Sequence, residues 1–398
     1  MTDLPTKTSE DIKFDVFAVP TPCYLVDTDL LQLNLNRLTE VKRRTGAKIL
    51  LAQKAFSMYS LYPQISAVLD GTTSSGLHEA KLGAAYFPGE RHVFSPAYRP
   101  IDLPELLDIS DYMVFNSFDQ WRKHKDTVVN HHSPPSIGMR VNPEHSTQDT
   151  PLYDPCGPGS RLGATLDNFR PEELDGIDGL HFHTLCEQGA EDLSETLAVI
   201  EQKFGDWIPR MKWLNMGGGH HITDRRYNLP LLLRTIEHTQ IKYDVQVYLE
   251  PGEAVVLNTG FLVAEVMDSV KNVIETLILD ASAECHMPDV LAMPYRPKVV
   301  LQTKNSKRFL NADKPNVKPH TYRLSSCTCL AGDIVGDYSF DEPVKPGDRL
   351  IFFDMALYTM VKNNTFNGMP LPSIMTYGKK DGLRLVRDFG FEDFKSRL

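Results

Sequence analysis

The run AKILLAQ, Ala47–Gln53, decides the fold. It is short and apolar, too brief for a buried helix, and has no alternation of polar positions. That is the pattern of a strand covered on both faces, the usual state of a parallel sheet. The segment before it, Leu30–Arg44, sets Leu31, Leu35, Leu38 and Val41 on one helical face. Seven similar runs follow: Gly71–Ser75, His92–Ser95, Tyr112–Asn116, Ile137–Asn142, Gly179–His183, Trp213–Met216 and Val245–Glu250. Helical patterns occupy most of the gaps, at Ser57–Leu69, Leu77–Tyr86, Phe118–Val129, Leu193–Phe204 and Leu229–His238. Eight strands with crossover helices predict a parallel (β/α)8 TIM barrel.

Past Gly260 the texture changes. Phe261–Val270, Val273–Asp280, Lys298–Leu301, His320–Leu324 and Arg349–Phe353 read as strands with little helix between them. An antiparallel β-domain is expected there. The strand-like Thr21–Val26 precedes the first barrel helix and is expected to pair with that domain. The predicted division is a barrel over 28–259 and a C-terminal β-domain over 260–398, joined by the N-terminal segment 1–27.

Composition narrows the function. With 42 basic and 52 acidic side chains in 398 residues, the net charge is −10. No basic block is present, so a nucleic-acid partner is not expected. No stretch nears the roughly 20 apolar residues of a membrane span. Met1–Asp15 is polar, so no leader is expected. The six cysteines are scattered without a CxxC pair, which points to the reducing cytoplasm.

Barrel chemistry sits at the C-terminal ends of the strands. The first strand ends at Lys54, the sixth at His183, Cys186 and Glu187, and the seventh runs into Gly217-Gly218-Gly219-His220-His221. The eighth ends at Glu250, followed by Pro251, Gly252 and Glu253. Taken singly, each has a plain explanation: a solvated lysine, a tight glycine turn, a loop acid. Together they suit pyridoxal 5'-phosphate (PLP), with a lysine to bind it covalently, bare backbone N–H groups for its phosphate and an acid to keep its ring nitrogen protonated. His181-x-His183 and His220-His221 lack the spacing of a zinc motif, so no metal is expected.

Longer segments carry a resemblance. They are TPCYLVDTDLL from Thr21, LLAQKAF around Lys54, SSGLHEAKLG from Ser74, HFHTLCEQ from His181 and LNMGGGHHIT from Leu214. LEPGEAVV from Leu249, CHMPDVLAMPYRP from Cys285, SCTCLAGD from Ser326 and FFDMALYTMVKNNTFNG from Phe352 continue it in order. The chain resembles the alanine-racemase-like, fold-type III PLP-dependent decarboxylases, which include diaminopimelate, ornithine and arginine decarboxylases. Within them it is most similar to the branch acting on carboxylated polyamines, carboxynorspermidine and carboxyspermidine.

The resemblance implies that Lys54 is the cofactor lysine and that His183 stacks on the ring. It implies that Gly217, Gly218, Gly219 and Tyr358 hold the phosphate and that Glu250 holds the ring nitrogen. It further implies a head-to-tail homodimer in which Cys329 enters the partner's site as an acid, with Asp333 beside it facing the substrate. Two positions depart from the family pattern. Glu253 stands where relatives carry arginine after Glu-Pro-Gly, and Leu330 stands where an acid usually follows the cysteine. Glu253, Glu187, Asp289 and Asp333 are therefore the candidates for the ammonium groups of a polyamine. Competing readings are a diaminopimelate- or ornithine-type decarboxylase, a racemase on the same fold, a PLP carrier without activity, and a structural protein in which Lys54 is incidental.

Overall fold

The computed structural model describes Leu4 and residues 6–398; Met1 to Asp3 and Pro5, part of the polar segment in which no leader is expected, lie outside the described residues. The chain forms two compact units. One comprises Asn34–Val255, and the other the N-terminal segment up to Leu33 together with Val256–Leu398.

The first unit is a closed barrel of eight parallel strands. In order they are β2 (Lys48–Ala52), β3 (Gly71–Ser74), β4 (Glu90–Phe94), β5 (Tyr112–Phe115), β6 (Ser136–Arg140), β7 (Gly179–His181), β8 (Trp213–Asn215) and β9 (Gln246–Leu249). β2 pairs with β9 through Lys48–Tyr248 and Ile49–Leu249, which closes the ring. Except for β4, in which only His92 and Val93 are buried, each strand is buried along most of its length, as expected of strands with side chains packed on both faces. Leu50, Val114, Trp213 and Tyr248 form one buried apolar cluster.

The helices between residues 27 and 260 are α1 (Thr28–Thr45), α2 (Tyr62–Ser66), α3 (Leu77–Tyr86), α4 (Leu103–Ile109), α5 (Phe118–Val129), α6 (Ala190–Phe204), α7 (Leu229–Tyr243) and α8 (Glu253–Val256). The expected helix over Ser57–Leu69 is shorter. A 3-10 turn, Tyr59–Leu61, leads into α2, whose first turn holds Pro63. Proline fits there because that N–H has no helical partner, whereas deeper in a helix it would break the ladder.

The second unit is built on β1 (Cys23–Asp27), β10 (Gly260–Asn272), β11 (Ile274–Leu279), β12 (Val299–Gln302), β13 (Phe309–Asn311), β14 (His320–Ser326), β15 (Ile334–Phe340), β16 (Arg349–Phe353), β17 (Ser373–Gly378) and β18 (Gly382–Arg387). One path runs β13-β12-β16-β10-β1-β17-β18, and β11, β14 and β15 branch from β10. Pairing is mostly antiparallel; β1–β17 and β11–β14 are parallel. β1 lies between β10 and β17, with all five residues buried. The sequence pattern contains no clear signal for β15, which carries Gly336 and Asp337 at its middle, or for β18, which buries none of its residues. Among the described residues no helix is long and apolar enough to cross a membrane.

Candidate active site

At the C-terminal mouth of the barrel, Ala52, Lys54, Thr73, Ser74, Ser75, Phe94, Arg140, His181, His183 and Glu250 line a recess of about 360 Å³, part of it open to solvent.

Lys54 follows the end of β2. The turn that carries it is tied down by Gln53, which is fully buried. Gln53 Nε2 donates to Ser74 Oγ and to the Glu79 carbonyl, both at 2.8 Å, and its Oε1 accepts from Tyr62 OH at 2.7 Å. The lysine's accessible surface faces the recess, whose walls limit its hydration. Desolvation, and then the Arg140 charge, pull its pKa below the ordinary lysine value. His183 Nε2 lies 3.4 Å from Lys54 Nζ. His183 Nδ1 accepts the Gly218 N–H at 2.9 Å, so a neutral ring carries its proton on Nε2, facing the amine. Burial, with Lys54 and Arg140 next, keeps His183 neutral by pushing its pKa well down. An uncharged amine can accept from that Nε2–H, whereas an ammonium would oppose it.

Glu250 follows β9. Asn215 Nδ2 donates to its Oε1 at 2.8 Å, and His181 Nε2 lies 3.2 Å from its Oε2. Burial pushes the carboxyl pKa up, but the His181 imidazole hydrogen-bonded to it, with those of His92 and His183 behind, outweighs it and holds the group ionised. Burial lowers the pKa of His181, so the pair is best described as a neutral imidazole donating to a carboxylate. Each carboxylate oxygen has a further lone pair free to accept.

The glycine turn is fixed by crowding. Gly217 and Gly219 have φ of +68° and +85°. A Cβ on Gly219 would lie 1.8 Å from the Leu185 carbonyl oxygen, and one on Gly218 2.0 Å from that of Glu250. The expectation that all three N–H groups meet a phosphate is corrected here. Gly217 N–H is spent on Asn215 Oδ1 at 2.9 Å and Gly218 N–H on His183 Nδ1, which leaves Gly219 as the open donor among the three.

Arg140 escaped the sequence reading, although an arginine closing an apolar strand was a visible signal. It is 4 % exposed, lies 4.6 Å from the centre of the Phe94 ring, and donates to the His183 carbonyl at 2.9 Å. Burial lowers its pKa to about 10, so it stays charged at neutral pH. The two histidines after the glycines diverge. His220 is buried against Tyr227 OH at 2.5 Å and held neutral by burial, whereas His221 Nε2 lies 3.2 Å from Glu253 Oε1. Glu187 is exposed in a left-handed conformation, φ +57°.

The remaining candidates belong to the second unit. Tyr358 has φ +48°, rarely adopted by L residues and often found where function fixes a backbone. Cys329 is exposed, its N–H donating to Asn367 Oδ1 at 2.8 Å. Asp289 already holds the Lys362 ammonium at 2.7 Å. The expectation that Asp333 faces substrate is corrected. It is 1 % exposed and accepts from the Ser282, Ser326 and Thr328 hydroxyls and from the Ala283 and Glu284 N–H groups. Its lone pairs are committed to its own loops.

An amine biased toward its neutral form, close to an acid that stays ionised, is the polarity that PLP requires. The first can attach the cofactor and the second can keep a ring nitrogen protonated. Fold and polarity place the chain among PLP-dependent enzymes. More narrowly, it belongs to the family described as pyridoxal-dependent decarboxylase, C-terminal sheet domain, whose model it matches over residues 23–356.

A carboxynorspermidine/carboxyspermidine decarboxylase of Campylobacter jejuni is 41% identical over 383 residues, covering 95% of this chain and 98% of that protein. A carboxyaminopropylagmatine decarboxylase of Synechocystis is 39% identical over 383 residues, covering 96% of each. The crystal structure of the Campylobacter jejuni carboxynorspermidine decarboxylase complexed with norspermidine superposes with a TM-score of 0.86 at 40% identity, covering 96% of this chain and all of that one. Helicobacter pylori diaminopimelate decarboxylase shares the fold, with a TM-score of 0.81 at 17% identity over 95% of this chain and 98% of that one.

Proposed function

We propose that this protein decarboxylates carboxynorspermidine and carboxyspermidine, releasing CO2 and leaving norspermidine and spermidine. The observation that carries the chemistry is Glu250, kept ionised by His181 and Asn215 in the same recess as Lys54. The substrate class is supported by the near full-length similarity to the Campylobacter enzyme. A second reading, carboxyaminopropylagmatine, is favoured by the comparable similarity to the Synechocystis enzyme. Both classes pair an α-amino acid end with a cationic tail.

PLP, when bound, supplies the electron sink for the carbanion that CO2 loss leaves. Lys54 would hold it covalently, His183 would cover one ring face, Glu250 would keep the ring nitrogen protonated, and the Gly219 N–H with Tyr358 would meet the phosphate. Arg140 fixes the His183 backbone and adds a positive charge to the recess wall. The Cys329 thiol of a second copy, or Lys54, would return a proton to the former α-carbon. Glu253, Glu187 and Asp289 are the carboxylates offered to the ammonium groups; Glu253 and Asp289 would exchange their present partners, the His221 imidazole and the Lys362 ammonium, for substrate. The working form is a homodimer with shared sites, in the reducing cytoplasm.

The deciding experiment compares CO2 release from carboxynorspermidine, carboxyspermidine, carboxyaminopropylagmatine, diaminopimelate and ornithine. The expected outcome is the highest kcat/KM on the first two. Preference for the agmatine derivative selects the second reading, and preference for diaminopimelate overturns the polyamine assignment. Purified protein that neither carries nor takes up PLP would overturn the cofactor reading.

A further inference from the structure

Away from the recess, one group of ligating side chains has no part in decarboxylation. Asp108 stands in the last turn of α4, and His131 and His132 follow the end of α5. One ligand atom from each falls within 4.8 Å of the other two. No spacing motif announces this group, because the carboxylate lies 23 residues before the first histidine and only the fold brings them together.

His131 pairs with Asp108, and a second imidazole stands beside the pair. His131 is held at both nitrogens, Nε2 at 2.9 Å from Asp108 Oδ1 and Nδ1 at 3.0 Å from the Ser133 carbonyl. Nδ1 also lies 3.3 Å from the Ser133 N–H, so the tautomer follows what Nε2 meets: with a cation at Nε2 the proton sits on Nδ1 and donates to the Ser133 carbonyl, the usual state of a metal-binding histidine. The His132 ring lies beside it, with centroids 4.2 Å apart at 48°. Two imidazoles so close gain little from both being protonated, but both can donate lone pairs to one cation. The backbone under them is already ordered, with the Asn130 N–H donating to the Asp126 carbonyl and the His131 N–H to that of Val128. Tetrahedral zinc needs ligand atoms about 3.4 Å apart. Asp108 and His132 are exposed, so side-chain rotation alone can close the remaining gap.

We propose that Asp108, His131 and His132 form a binding site for a first-row transition-metal dication of the zinc or nickel class, with water completing the coordination. Two imidazoles and one carboxylate favour such ions over magnesium or calcium, which prefer all-oxygen shells. The bound ion would join the end of α4 to the turn after α5, so it stabilises the barrel wall and leaves the chemistry untouched.

The test uses PLP-loaded protein treated with a chelator, then dialysed against Zn²⁺ or, separately, Ni²⁺, with bound metal and melting temperature measured. Wild type should bind one more equivalent than His132→Ala and melt higher with the ion than without it. Asp108→Asn should bind at least tenfold more weakly. All three should release CO2 at the same rate. Equal stoichiometry and affinity in wild type and both variants would overturn the proposal and leave an ordinary imidazolium–carboxylate pair, with any metal held by thiols elsewhere. A Mg²⁺ response equal to that of Zn²⁺ would overturn the assigned class.

Discussion

Asn215→Asp changes one atom in shape and reverses the logic of the site. Asn215 is fully buried and spends both ends of its amide: Oδ1 accepts the Gly217 N–H at 2.9 Å, and Nδ2 donates to Glu250 Oε1 at 2.8 Å. In the variant the first bond survives, so the glycine turn keeps its shape. The second becomes an oxygen facing an oxygen. Two unit charges 2.8 Å apart repel by about 6 kcal/mol at an effective dielectric near 20. That is enough to make the pair retain one proton at neutral pH, as adjacent carboxyls do. Glu250 then no longer holds a full charge for the ring nitrogen. Losing a hydrogen bond to a charged group costs about 1.5–3 kcal/mol, or roughly ten- to two-hundredfold in rate. The assay is CO2 release across pH with visible absorbance confirming that PLP is bound. The expected outcome is full cofactor loading, a kcat lowered at least tenfold at pH 7, and recovery as the pH rises and the shared proton leaves. A loaded variant with wild-type kcat and an unchanged pH profile would refute the role given to the Glu250 clamp.

Other outcomes follow from single contacts. Lys54→Ala should abolish both the visible cofactor absorbance and CO2 release, and retention of either would remove it from the chemistry. Mixing Lys54→Ala with Cys329→Ala protein, each inactive alone, should restore activity in demonstrated heterodimers, with one working site per dimer. Glu253→Gln should raise KM for the polyamine substrates several-fold and leave PLP affinity unchanged; lost PLP affinity with normal KM would put Glu253 at the phosphate. Asp333→Asn should lower stability by about 1.5–3 kcal/mol without changing KM, measured by urea unfolding. Burial opposes ionisation of Asp333, but the Ser282, Ser326 and Thr328 hydroxyls outweigh it and leave the folded pKa below the ordinary value. Its stabilisation is therefore complete above the unfolded carboxylate pKa and lost as pH falls through the folded one. The gap between wild type and variant should close in acid.

Sequence by itself settled the elements whose pattern is local. Most of the barrel strands are short apolar runs, β3 (GTTS) being the exception, and α3 and α5 begin and end at the residues their periodicity marks, because helix and strand faces repeat along the chain. It also placed Lys54, His183 and Glu250 at strand ends, since a parallel barrel gathers those ends at one mouth. Tertiary structure decided what contacts across the chain determine. β18 buries no residue, so no core face marks it, and its pairing with β17 makes it a strand. Arg140, 43 residues before its His183 partner, became part of the site only when β6 and β7 paired. Asp333 looked like a substrate acid and proved to be a loop clamp, because the hydroxyls that claim it include Ser282, 51 residues earlier. Nor could the sequence show that two of the three glycine N–H groups are already used. Residue type gives each group's chemistry, but only the packing of distant segments determines which lone pairs and protons remain free to act.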